Sequence, residues 1–251
     1  VYKRQGMMYT YKMKDGTGLA YDGKQEKKNT LLDFYGTYTP DLGEKHSFNF
    51  MGGYGWQHFW RKYNTTTLSP EGEELFSPTH YETEYYLLSL YGRLNYTFNN
   101  RYMITATLRA DASSRFAANN RWGYFPSVAL GWKISEEDFF KEQDVMTDLK
   151  LRLSYGQTGQ QDILNDYPYM TTFNVSYPES SYLFGDTWYR TYRPNGYDPD
   201  IKWETTTTYN AGIDFGFLNN RIYGSFDYYQ RHTKDLLNTI NVIAGTNYAP
   251  V

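Results

Sequence analysis

The sequence predicts an all-β fold: a transmembrane antiparallel β-barrel, of which this chain forms an open, curved part with about eight or more strands. Three observations predict it. Apolar and polar residues alternate with a period of two in many short segments. Aromatic residues make up 20% of the 251 residues, although the mean hydropathy is only -0.74. Short turns alternate with long polar segments, as they do in outer-membrane barrels.

The composition favours a membrane barrel over a soluble core. A soluble core would be rich in Leu, Ile and Val, whereas barrels have aromatic rims, and this chain has 28 Tyr, 15 Phe and 6 Trp. No run approaches the roughly 18 apolar residues of a transmembrane helix, which excludes a helical membrane protein. The absence of Cys excludes disulfides and thiolate sites. A net charge of -3 with scattered basic residues argues against nucleic-acid binding.

Alternation defines the predicted strands in chain order. In residues 86–98, one face contains Leu88 and Leu90, and the other contains Arg93 and Asn95. Each predicted strand has roughly the 9 to 11 residues that cross a bilayer at a tilt. The segments with clean alternation are 32–38, 86–98, 102–108, 149–155 and 209–217. Alternation is less regular in 48–60 and 222–231.

The connections between these strands differ in length. Short turns are predicted at 41–45, 99–100 and 218–220, and long polar segments at 61–81, 111–122 and 156–202. If residues 99–100 lie in the periplasm, counting strands places every long segment outside the cell.

One connection departs from this rule. Residues 135–148 are periplasmic by the count but are longer than a turn. The acidic run Glu136, Glu137 and Asp138, followed by Phe139 and Phe140, predicts a short helix under the barrel wall, because acidic residues stabilise a helix N-terminus.

Patterns for catalysis or metal binding are missing from the sequence. His46, His58, His80 and His232 are far apart and form no ligand pair of the HExxH kind. No serine lies in a GxSxG elbow, and the glycine run at 52–55 lacks the context of a phosphate loop. The sequence therefore predicts a protein that is not an enzyme, with no catalytic residues, no metal and no cofactor.

An aromatic segment in the longest outer loop is the candidate binding element. Exposed Tyr and Trp stack on sugar rings or line a peptide groove, and Arg contacts carboxylates or hydroxyls. The alternative interpretation is that these residues pack the loop against itself or belong to an interface girdle. The candidate substrate-binding residues are Tyr182, Trp188, Tyr189, Arg190, Tyr192 and Arg193.

Residues 101–132, RYMITATLRADASSRFAANNRWGYFPSVALGW, resemble the signature of the SusC/RagA family of TonB-dependent outer-membrane transporters. The matching residues are Arg109, Asp111, Ser113, Ser114, Arg115, Phe116, Asn119, Arg121, Trp122, Gly123, Phe125, Pro126, Ser127 and Trp132. Ala112 replaces the usual Gly, which alters the backbone angles available to the loop. Further resemblance lies in 148–161, where Gln160 replaces Asn, and in 199–217 and 228–237.

The resemblance implies a barrel of about 22 strands with a plugged lumen, in the outer membrane of a Gram-negative bacterium. It implies import of oligosaccharides or peptides, driven by the TonB complex and assisted by a SusD-like surface lipoprotein. Outer-membrane lipid would surround the barrel. The plug and TonB box, expected near the family's N-terminus, are missing from this sequence. We interpret residues 1–5 as non-native sequence and 6–251 as part of one barrel domain.

The signature residues are interpreted as structural. Arg109 is expected on the lumen side near the outer rim, and Asp111, Arg115 and Arg121 follow within one loop. Paired charges there are predicted to hold the loop inward over the pore.

Two other classes of protein stay open at this point. A secreted all-β carbohydrate-binding module or carbohydrate-active enzyme would also show alternating strands. The enzyme would need a convergent pair of carboxylates, which we cannot place. A surface adhesin or structural barrel differs from a transporter only through the family resemblance.

Overall fold

The computed structural model describes residues 2–12, 18–68, 79–141, 145–163, 166–175 and 181–238. The long strands are β1 (Tyr2–Lys12), β2 (Gly18–Tyr38), β3 (His46–Leu68), β4 (Thr79–Phe98), β5 (Tyr102–Ser113), β6 (Trp122–Lys133), β7 (Met146–Gln160), β12 (Glu204–Phe217) and β13 (Ile222–Lys234). Four short strands precede β12: β8 (Phe173–Val175), β9 (Ser181–Phe184), β10 (Thr187–Arg190) and β11 (Tyr192–Pro194). Two 3₁₀ helices span Ala118–Asn120 and Ile134–Glu136. None of the helices in the described ranges is long and apolar enough to cross a membrane.

The long strands form one nine-stranded sheet with the order β1-β2-β3-β4-β5-β6-β7-β12-β13. Because β1 and β13 lie at opposite ends of this order, the sheet is open. The short strands form two separate pairs, β9 with β10 and β8 with β11. The predicted open antiparallel sheet is confirmed, and residues 2–5, which the sequence analysis set aside, lie in β1.

The chain divides into two compact units, residues 1–33 with 55–88, and residues 34–54 with 89–251. In the first unit, β3 and β4 make polar cross-strand pairs. The ring of His58 meets the carboxylate of Glu84 at 2.8 Å, and the Trp60 indole donates to Glu82 at 2.9 Å.

A further polar pair, between the His80 ring and the Asn64 side chain at 2.6 Å, lies inside the loop predicted at 61–81 and corrects it. There β3 continues to Leu68 and β4 begins at Thr79, while residues 69–78 lie outside the described part of the chain. Because the stabilising pairs are polar, the sheet extends where apolar alternation has ended. β3 and β4 therefore contain 23 and 20 residues, about twice the predicted length. β2 is similarly long, with 21 residues.

In the second unit, strand register aligns the apolar rows of neighbouring strands. Leu130 of β6 lies opposite Ile104 of β5 and Leu153 of β7, and Leu153 lies opposite Ala211 of β12. Leu130 and Leu153 are exposed, and no second layer of the described residues covers them. The alternating faces predicted from sequence are thus present, and the apolar face is open.

The short turns have the backbone that their sequences favour. Asn99 and Asn100 adopt φ of 53° and 54°, the left-handed region that tight hairpin turns use and that Asn tolerates. Residues 218–220 have the same sign of φ, including Leu218 at 54°. The turns predicted at these two places are confirmed.

The connection between β6 and β7 differs from the predicted helix at 135–148. It contains the 3₁₀ helix Ile134–Glu136 and then a turn in which the Glu137 carbonyl accepts from the N–H groups of Phe140 and Lys141, at 3.0 and 3.3 Å. β7 already begins at Met146, and residues 142–144 lie outside the described ranges.

Candidate functional site

Two loops leave the sheet at the end predicted to lie outside the cell. Loop A is residues 114–121, between β5 and β6, and loop B is residues 161–203, between β7 and β12. β7 extends to Gln160 and β5 to Ser113, so each loop is shorter than the long segment predicted from sequence. The signature residues lie in and around loop A.

A three-ring core of Phe116, Phe125 and Trp203 joins the two loops. All three residues are buried, and the Trp203 ring centroid lies 5.4 Å from each of the two Phe rings. The Trp203 indole N–H donates to the Arg121 carbonyl at 2.8 Å, which gives the buried polar group of this side chain a partner. The end of loop B is therefore fixed to loop A.

Two glycines make room for the Phe125 ring. A Cβ added to Gly123 or to Gly159 would collide with this ring. Gly159 lies in β7 and belongs to the second family-like stretch, so the two stretches of resemblance meet at one aromatic side chain.

A buried ion pair fixes the start of loop B. Arg115 donates to Asp166 at 2.8 Å, to Asp162 at 3.1 Å and to the Gln161 carbonyl at 3.3 Å. The side chain of Asp166 is 1% exposed, whereas that of Asp162 is 80% exposed. The Ser113 hydroxyl also donates to the Gln161 side chain. A buried guanidinium is tolerated because a buried carboxylate compensates its charge.

The charge pairing predicted for the loop at 111–122 is present only in part. The Arg109 Nε contacts both carboxylate oxygens of buried Asp111, at 2.9 and 2.7 Å, and its Nη2 donates to the Ser89 hydroxyl at 3.0 Å. Arg115 reaches loop B instead, and Arg121 donates to the Phe116 carbonyl at 3.3 Å. Of these charges, Arg115 therefore joins the two loops, whereas the Arg109–Asp111 pair lies within β5.

The remaining signature residues lie outside this cluster. Trp122 is exposed on the apolar face of β6, and Pro126 lies opposite Leu108 of β5. Ser114 is half-buried in the turn after β5.

The candidate substrate-binding residues lie on loop B, between its two fixed ends in the chain. Tyr182 lies opposite Tyr189 in the β9–β10 hairpin, with ring centroids 6.0 Å apart, and Trp188 lies opposite Leu183 on the other face. The hairpin turns at Gly185, with φ of +62°.

These four side chains are exposed, so both faces of the hairpin are open. Arg190 follows Tyr189 on β10, whereas Tyr192 and Arg193 lie on β11, which pairs with β8; all three are exposed. The structure thus groups the six residues on two small sheets.

The polar face of the large sheet has its own charge network. Arg152 of β7 makes a bidentate pair with Asp214 of β12, at 2.9 and 2.8 Å, and also contacts Asp227 of β13 at 3.0 Å. In the described ranges, no group of three or more His, Asp or Glu residues is arranged to hold a metal ion.

A second cluster, which sequence reasoning missed, lies at the opposite ends of β5 and β6. The buried carboxylate of Glu137 accepts from the Tyr102 hydroxyl at 2.6 Å, from the Trp132 indole at 3.0 Å and from Arg101 at 3.0 Å. The Tyr102 hydrogen bond, followed by that of Trp132, lowers the pKa of Glu137. The acidic run that suggested a helix start instead supplies an acceptor for two strand-end aromatics.

Sequence reasoning also missed Asp166 and Trp203. Asp166 is one of several acids in loop B, and nothing local distinguishes it from Asp162. Trp203 had a weak signal, as a lone large aromatic directly before a Thr-rich strand.

Comparison with known proteins matches residues 3–250 to the TonB dependent receptor-like, beta-barrel family. The TonB-dependent receptor SusC of Bacteroides thetaiotaomicron is 47% identical over 234 residues, which cover 90% of this chain and 23% of the relative. The TonB-dependent receptor P39 of Formosa agariphila is 31% identical over 249 residues, with coverage of 90% and 23%.

Solved structures give the same result. The RagAB peptide transporter superposes with a TM-score of 0.74 at 27% identity, covering 90% of this chain and 26% of that chain. The 'open-open' state of the RagAB peptide importer gives 0.77 at 25% identity, covering 96% and 27%. The chain thus spans about a quarter of the length of these proteins.

Proposed function

Because this chain belongs to the TonB-dependent receptor-like β-barrel family, and within it to the SusC/RagA type, we propose that it is part of the barrel wall of an outer-membrane importer. The substrates are oligosaccharides or peptides, and the cell is a Gram-negative bacterium. The TonB complex would act through a plug region outside this chain. A SusD-like lipoprotein would assist from the outer side.

The open apolar face of the sheet supports this proposal most directly. Neighbouring strands β5, β6, β7, β12 and β13 align their apolar rows on one side. Soluble proteins rarely leave such a surface uncovered, whereas lipid covers it in a barrel. The opposite face, with Arg152, Asp214 and Asp227, has the polarity of a lumen wall.

The aromatic hairpin supports the substrate class. Tyr182 and Tyr189 present one face and Trp188 the other, and aromatic rings stack on sugars or on peptide side chains. Arg190 and Arg193 add donors for carboxylates or hydroxyls. The same exposed surface could also contact the lipoprotein. Substrate binding and lipoprotein binding therefore need separate measurements.

The test uses the whole transporter that contains this chain. Deleting its gene is expected to abolish uptake of one class of oligosaccharide or peptide, and unchanged uptake of both classes would contradict the proposal. In the purified transporter, the double change Trp188→Ala with Tyr189→Ala should weaken substrate binding about tenfold, since each aromatic contact contributes about 0.5–1.5 kcal/mol. Tyr124→Ala, a change of an exposed aromatic on the apolar face, is the matched control and should leave binding unchanged.

A further inference from the structure

We infer that residues 134–141, directly after β6, form a membrane anchor, in which Glu137 holds the chain against the lipid-facing side of the sheet and Phe139 enters the periplasmic leaflet of the bilayer. This inference depends on the proposed placement of the sheet in a membrane. The surface concerned is the edge of the apolar face next to the turn at 99–100, and the partner that covers it is phospholipid.

An aromatic row marks that edge. Phe98, Tyr102 and Trp132 lie at the ends of β4, β5 and β6, next to the short turn at 99–100, with ring centroids 6.4 and 6.5 Å apart. Tyr102 and Trp132 are register partners and share their face with Leu130. Barrels have such aromatic girdles where hydrocarbon gives way to headgroups.

The hydrogen bonds of Glu137 show on which side of the sheet residues 134–141 lie. Its Oε1 accepts from both the Tyr102 hydroxyl and the Trp132 indole, so residue 137 lies beside the aromatic row and not under the polar face. Arg101 contacts the other carboxylate oxygen at 3.0 Å, which compensates the buried charge. Both polar groups of the row are therefore satisfied by protein, and a headgroup is not needed for this.

Phe139 follows two residues later and is 68% exposed. The turn is fixed by the bonds from Phe140 and Lys141 to the Glu137 carbonyl. Asp138 and Lys141 flank Phe139 and form an exposed ion pair at 3.5 Å. An apolar side chain among exposed charges is typical of segments that lie in a membrane interface. Because Glu137, two residues before Phe139, is bonded to the aromatic row of the apolar face, acyl chains are the contact that we assign to Phe139.

Site-directed spin labelling tests the anchor, because this chain has no Cys of its own. The whole transporter is placed in phospholipid nanodiscs, with any cysteine outside this chain replaced by serine. Labels are attached to Phe139→Cys, to Asp138→Cys as the water-facing control, and to Leu130→Cys as the lipid reference. Collision with oxygen should exceed collision with a water-soluble nickel complex several-fold at 139 and 130, and the ratio should reverse at 138.

The outcomes separate this inference from the proposed function. A lipid signal at 130 with a water signal at 139 overturns the anchor and leaves the barrel intact, whereas a water signal at 130 overturns the membrane barrel itself. When Glu137→Ala is added, the oxygen-to-nickel collision ratio of the label at position 139 should fall several-fold, and the ratio at position 130 should not change. Glu137→Gln keeps an acceptor oxygen and should lower the ratio at position 139 less. An unchanged 139 ratio in Glu137→Ala would overturn the positioning role of Glu137.

Discussion

Loop B contains two tryptophans in opposite situations. Trp203, at its base, is 7% exposed and packs between two Phe rings, whereas Trp188, in the hairpin, is 67% exposed. The base also has the buried pair of Arg115 with Asp166. Loop B thus combines a fixed root with an open tip, and the family signature packs against the root through Arg115, Phe116 and Phe125.

The largest effect is expected when each tryptophan is removed in turn. Trp203→Ala should destabilise the joined loops by about 3–5 kcal/mol, since it empties a packed aromatic site. Hydrogen exchange of loop A in the whole transporter measures the effect. Trp188→Ala should leave this exchange unchanged and reduce only substrate binding. Equal protection in the two variants would contradict the division into root and tip.

Arg115→Ala should have the next largest effect, about 3 kcal/mol, because it leaves the buried Asp166 carboxylate without its cation. Faster proteolysis within loop B is the readout. Asp162→Ala removes the exposed partner of the same arginine and is the control, with an expected cost below about 1 kcal/mol. Similar proteolysis rates for the two variants would argue that the buried pair has no special weight.

Asp111→Ala should cost less, about 1.5–3 kcal/mol, since Arg109 is exposed and regains water when its partner is lost. Protease sensitivity of loop A should increase. Asp111→Asn keeps an acceptor of the same size, so its protease sensitivity should lie between those of the native protein and Asp111→Ala. Unchanged sensitivity in Asp111→Ala would show that this pair does not hold loop A.

The smallest expected effect is a pH dependence at the opposite end of the strands. The folded pKa of Glu137 lies below its ordinary value of 4.5, because Tyr102 and Trp132 donate to the carboxylate. Its stabilising contribution is therefore complete above the unfolded value and is lost as pH falls through the folded pKa. The temperature of thermal unfolding, measured from pH 6 down to pH 3, should decrease more steeply for the native protein than for Glu137→Gln. Parallel curves would contradict this role.

The strands were predictable where each face meets a different environment. Apolar and polar side chains alternate clearly in residues 86–98, and the pair Asn99–Asn100 predicts the turn that it forms. The extension of β3 and β4 was not predictable from hydropathy, because it is held by pairs between polar side chains, such as Asn64 with His80.

The site was predictable only in its local half. The signature around Arg115 and the aromatic residues of the hairpin are visible in sequence. The partner Asp166 is separated from Arg115 by 51 residues, and other acids lie nearby. Glu137 was misread because an acidic run followed by Phe resembles a helix start, whereas the tertiary partners of Glu137 decide its role.

The β9–β10 hairpin has a practical consequence for engineering. The register of β4 with β5 depends on the length of the short turn at 99–100, and a shift of one residue in that register would exchange the two faces of β5. Among the described strands, β9 and β10 pair with each other and not with the large sheet, so the length of their turn does not affect the register of that sheet. A reporter peptide inserted between Gly185 and Asp186 would leave the register of the large sheet unchanged and be displayed at the turn of the β9–β10 hairpin.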